Sequence, residues 1–237
     1  MNQYPELSFS LDVELDKWTC NRFLVYKEFT NFSQAILFNH PNLATVKDEK
    51  DKIRKKYCDL YVEKYYNSHE QEINSAIEKM KSDWESVFPR FYPEVKKLFA
   101  ETNESLYEWP KGNYVCKLSI FNCNPRWVET KTFQTFYMKP SGTNPTCMHE
   151  MLHFAFYDYI DRHFAGECKQ IGDKAVWKMS EVFNDVILRQ PEFIMLTGRE
   201  NPGIYAETRE ELAKNLDLWK ESESANEFIR EYIKSLD

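Results

Sequence analysis

The chain has 237 residues, 42% apolar, 16% aromatic and 29% charged, enough apolar surface to offset the entropy of ordering and to exclude a disordered protein. Its formal net charge of -7 excludes a general nucleic-acid binder, which needs a basic surface to displace counterions. No apolar run is long enough to span a bilayer.

The N-terminus, Met1 to Glu6, has no basic region followed by an apolar stretch, so the expectation is no signal peptide and a cytoplasmic location. Leu7 to Leu15 alternates apolar and polar residues, the period of a half-buried strand. Phe23 to Phe29 suits a second strand or the approach to a helix. Lys47 to Tyr66 and Ser68 to Val87 place Ile53, Tyr57, Leu60, Tyr61, Ile73, Ile77, Met80 and Trp84 at helical spacing against charged residues, so two substantial helices are expected. The basic run Lys50 to Lys56 is broken by Asp51 and reads as a solvated face. Pro89 and Pro93 are expected to end the second helix, with a shorter one following over Glu94 to Glu101.

Asn113 to Phe121 and Val128 to Met138 are strand-like, and Asn122, Asn124 and Pro125 supply a turn, which reads as a hairpin. A helix is expected from Asn144 to about Ala165-Gly166, with Asn144 suited to the N-cap and Pro145 to the first turn. Another follows over Asp173 to Leu188, closed by Pro191, and two more charged helical stretches run over Ala206 to Leu218 and Ala225 to Leu236. Six scattered cysteines without close spacing read as free thiols. Cys147 stands about 200° round the helix from His149 and reads as a packing residue.

The segment His149-Glu150-Met151-Leu152-His153 carries the chemistry. On a helix, imidazoles four residues apart stack one turn apart on one face and can grip a single zinc ion. Glu150 between them is then placed to take a proton from the attacking water. A catalytic zinc keeps three protein ligands and an open position. The metzincin arrangement needs glycine and histidine where this chain has Phe156 and Tyr159. His163 would lie roughly 15 Å along the helix from His153. Glu167 could fold back from a loop, with no supporting partner. Glu181 is the better third ligand, because Glu181 and Asp185 stand four residues apart on the next helix. One carboxylate can bind the ion while the other accepts a ligand imidazole's free ring proton. A solvated helix face is the competing reading of that pair.

His149, Glu150, His153, Glu181 and Asp185 together resemble the gluzincins, zinc peptidases typified by thermolysin, in compact form. The gap from His153 to Glu181 is longer than in thermolysin, and the chain after Glu181 is too short for the C-terminal subdomain of large members. The resemblance implies a sheet before the active-site helix, with peptide or protein substrate extended along an edge strand, here Thr130 to Met138. It also implies an oxyanion-stabilising tyrosine or histidine, with Tyr205 the candidate and Tyr157 its rival.

The expected fold is α+β: a small, mainly antiparallel sheet packed on the active-site helix and the glutamate-bearing helix, with additional N-terminal helices. The expected division is a mainly helical N-terminal region over 1–110 with a first strand and a zincin-like catalytic region over 111–237, either separate or continuous. The expected activity is zinc-dependent peptide-bond hydrolysis. The alternative is a non-catalytic helical interaction protein with a structural or degenerate zinc site.

Overall fold

The computed structural model describes residues 4–26, 31–100, 107–139, 142–198 and 209–236. Helices dominate, and a four-stranded sheet completes an α+β fold. The chain forms two compact units, each discontinuous in sequence: Glu6–Trp84 with Asn113–Thr143, and Met1–Pro5 with Glu85–Gly112 and Asn144–Asp237. Residues on both sides of position 110 therefore contribute to each. Among the described residues no helix is long and apolar enough to cross a membrane.

The first unit opens with β1 (Leu7–Leu11), which is shorter than the alternation through Leu15 predicts. Asp12 ends it: its side chain accepts the Leu15 amide at 3.0 Å and caps α1 (Val13–Phe23), satisfying a donor that a strand would have used otherwise. The strand or helix approach expected over Phe23 to Phe29 is thus the end of α1, with 27–30 outside the described residues. Then come α2 (Phe32–Asn39), a 3-10 turn, α3 (Asp51–Ser68), and α4 (Glu70–Leu98), which supplies residues to both units.

Three strands follow: β2 (Tyr114–Ser119), β3 (Arg126–Trp127) and β4 (Thr132–Phe136), in the sheet order β1-β2-β4-β3. The expected hairpin and mainly antiparallel sheet are corrected here. β2 runs parallel to both β1 and β4, and only the short β3 is antiparallel to its neighbour. The chain turns twice, through left-handed backbone at Asn124 (φ 40) and Lys131 (φ 50), and two reversals restore the direction of β2. The expected edge strand, β4, is interior, with β2 on one side and β3 on the other.

Beneath this sheet, buried Asp16 of α1 accepts from Ser119 Oγ (2.6 Å), Gln134 Nε2 (2.8 Å), Tyr66 OH (2.8 Å) and the Ile120 amide (3.0 Å). Thr19 donates to Gln134 Oε1 at 2.6 Å. These bonds tie α1 and α3 to β2 and β4, as a buried carboxylate requires.

Pro89 and Pro93 do not end α4, which continues through both to Leu98. Each proline removes a helix hydrogen bond and costs about 3 kcal/mol. Burial of Phe91, Tyr92, Val95 and Phe99 offsets this at roughly 1.5–3 kcal/mol per large side chain. Their rings meet Trp109, Phe193 and Phe183.

The second unit continues with α5 (Asn144–His163), α6 (Ala165–Ile171), α7 (Asp173–Ile187), α8 (Pro191–Thr197), α9 (Arg209–Glu221) and α10 (Ala225–Lys234). The motif helix stops at His163, and Ala165-Gly166 opens α6 rather than ending α5. Pro191 opens α8 at its first turn, where its missing N–H costs nothing. The core is aromatic: Phe183 meets Phe99 at 5.6 Å, Phe156 at 4.8 Å and Phe228 at 5.9 Å between ring centroids.

Candidate metal centre

Every residue of α5 from Thr146 to Phe156 is buried, and so is every residue of α7 from Met179 to Ile187. A helix buried all round exposes none of its polar side chains to water, so each needs a partner in the protein or a bound ion. The polar residues in these stretches include His149, Glu150, His153, Glu181, Asn184 and Asp185. Glu181 and Asp185 are 2% and 3% exposed, which removes the reading of that pair as a solvated face.

Three of these residues converge. His149 Nε2 lies 2.9 Å from His153 Nε2 and 3.2 Å from Glu181 Oε2, and His153 Nε2 lies 3.5 Å from the same oxygen. Zinc bonds of about 2.0–2.2 Å set tetrahedral ligand atoms roughly 3.3–3.6 Å apart, and the three separations fall around that spacing. The donor set also fits an ion: the two facing ring nitrogens share at most one proton, whereas a cation satisfies both and the carboxylate together. A buried two-imidazole, one-carboxylate group able to hold a metal ion is therefore present.

Burial pushes the His149 imidazole down. The Glu181 hydrogen bond and the charges of Glu181, Glu150 and Asp185 more than offset this and hold it above its ordinary value. Asp185 acts on His149 through charge rather than a hydrogen bond, because His149 Nδ1 is buried without a hydrogen-bond partner. Glu150 is 4% exposed and sits beside His149 on α5.

The rejected ligand candidates stand apart from this group. His163 is exposed and lies against Tyr159, with ring centroids 4.4 Å apart, and Glu167 is exposed in the first turn of α6. Cys147 is fully buried, as a packing residue should be. Tyr205 lies outside the described residues. Tyr157 is partly exposed, one turn beyond His153, and its hydroxyl meets Ser180 Oγ at 3.2 Å. Ser180 gives its single proton to the Trp177 carbonyl at 2.7 Å, so Tyr157 is the donor in that pair.

Sequence reasoning missed Asn184. Its side chain is fully buried, and Nδ2 donates to the His149 carbonyl at 2.8 Å. The signal was an amide set between Val182-Phe183 and Val186-Ile187, on the face that carries Glu181 three residues earlier. Compared with known proteins, the chain matches no family model, no curated protein and no solved structure.

Proposed function

We propose that this chain is a zinc-dependent peptidase of gluzincin type, hydrolysing peptide bonds in a peptide or protein substrate. The observation that carries the reading is the buried triangle of His149 Nε2, His153 Nε2 and Glu181 Oε2, at 2.9, 3.2 and 3.5 Å. Its two histidines flank a glutamate on one helix turn, a spacing that suits a zinc hydrolase.

His149, His153 and Glu181 hold the ion, which when bound supplies a Lewis acid that acidifies water and polarises a carbonyl. Glu150 takes one proton from the attacking water as the new C–O bond forms, then delivers it to the departing amine as the C–N bond breaks. The negative charge of Asp185 acts on His149 and favours a cation beside it. Other divalent metals accept the same donor set, so the metal is identified by measurement.

The test pairs elemental analysis with a peptide-library screen. Wild-type protein should carry close to one zinc per chain and Glu181→Ala far less. Glu150→Gln should keep the zinc and lose cleavage by about 10²–10⁴-fold. Zinc in wild type and Glu150→Gln alike, with cleavage in neither, would support a structural site in a non-catalytic interaction protein. No zinc in folded wild type after metal is added back would overturn the reading.

A further inference from the structure

We infer that Asn184 is a positioning residue for the metal ligands: its hydrogen bond to the His149 carbonyl sets the distance between Glu181 and the two imidazoles. The inference rests on the reading that His149, His153 and Glu181 hold a metal ion.

The ligands come from two helices, so their separation is decided by how α7 lies against α5. Within α5 the ladder directs the His153 amide to the His149 carbonyl, closing the turn that carries both imidazoles. Asn184 Nδ2 reaches the same oxygen from α7 at 2.8 Å, with donor and acceptor both buried. The carbonyl between the two histidines is thus tied to the helix turn that bears Glu181. Apolar contact such as Phe183 against Phe156, with ring centroids 4.8 Å apart, presses the helices together, but apolar burial is non-directional and does not by itself fix which carbonyl faces which side chain. A hydrogen bond does.

A buried amide needs such a reason. Leucine would fill similar volume on α7 without desolvating a donor, and the surrounding positions are Val182, Phe183, Val186 and Ile187. Tyr157 and Ser180 join the same two helices on the other side of Glu181, at 3.2 Å and partly exposed. Asn184 makes the shorter, fully buried link.

The test is zinc affinity, measured by chelator competition on wild type, Asn184→Ala and Asn184→Leu, each also in a Glu181→Ala background. Loss of a group that orients metal ligands typically weakens affinity about 10–100-fold, and that is the shift expected for either Asn184 variant. In the Glu181→Ala background, where the two imidazoles still bind zinc weakly, removing Asn184 should change affinity less than twofold, because the carboxylate through which it acts is gone. General destabilisation would weaken binding equally in both backgrounds, and that result overturns the inference. So does an unchanged affinity in both Asn184 variants while wild type binds zinc. Should Asn184→Ala fail to fold, Asn184→Leu, which fills the site, carries the comparison. A wild type that takes up no zinc overturns the metal reading and this inference together.

Discussion

Asp16 and Glu181 are both carboxylates buried within helices, and their surroundings set them to different tasks. Four donors close around Asp16, which leaves it a structural anchor, whereas Glu181 faces two imidazoles and joins them in a group able to hold an ion. Burial raises the Asp16 carboxyl to about 6, against the pull of its donors, from an ordinary 3.8. Between those values the folded chain binds more protons than the unfolded one, so stability falls as pH rises from about 4 to 6. Above that the ionised, buried group costs about 2–3 kcal/mol relative to its protonated form. At pH 5, Asp16→Asn strands donors and should destabilise by about 1–3 kcal/mol. The gap between wild type and Asp16→Asn in urea unfolding should be wider at pH 5 than at pH 8. An equal gap at both values would show that the carboxyl titrates normally.

At the scale of elements, the metal group depends on how α7 leaves α6. Gly172 joins them at φ 82 and ψ 162, a region that only glycine adopts without strain. A Cβ there would meet nothing within 4 Å, so the penalty of substitution is backbone strain alone. Gly172→Ala should lower stability by about 1–3 kcal/mol, read from the thermal midpoint. An unchanged midpoint would mean the chain turns there in some other way. α4 supplies the opposite case. Pro89 is exposed in mid-helix, and Pro89→Ala restores a helix N–H without disturbing the core. A gain of about 1–3 kcal/mol is expected; a loss in equilibrium unfolding would show the helix broken at that point. Local propensity alone ends this helix at Pro89, and only the burial of Phe91, Tyr92 and Val95 accounts for its continuation.

For the whole molecule, the ligands and the sheet lie in different units, so metal binding should stabilise the two unequally. An ion that binds only the folded site adds about 2.7 kcal/mol at a free concentration one hundred times its dissociation constant. Hydrogen exchange with and without zinc should therefore slow in α5 and α7 well before any change in α1 or α3. Equal slowing throughout would mean that the chain unfolds as one cooperative body. The group that makes this prediction was legible in advance. Spacing of four on a helix puts His149 and His153 on one face whatever the rest of the chain does, and Glu181 lies on the next long helix. Because helical periodicity is a local property, the sequence by itself determined the main helices, the paired imidazoles and the candidate carboxylate. Strand direction was decided only in the tertiary structure, because alternating side chains read alike in parallel and antiparallel pairing. The same holds for the partner of Asn184, since which carbonyl a buried amide meets depends on the approach of a second helix.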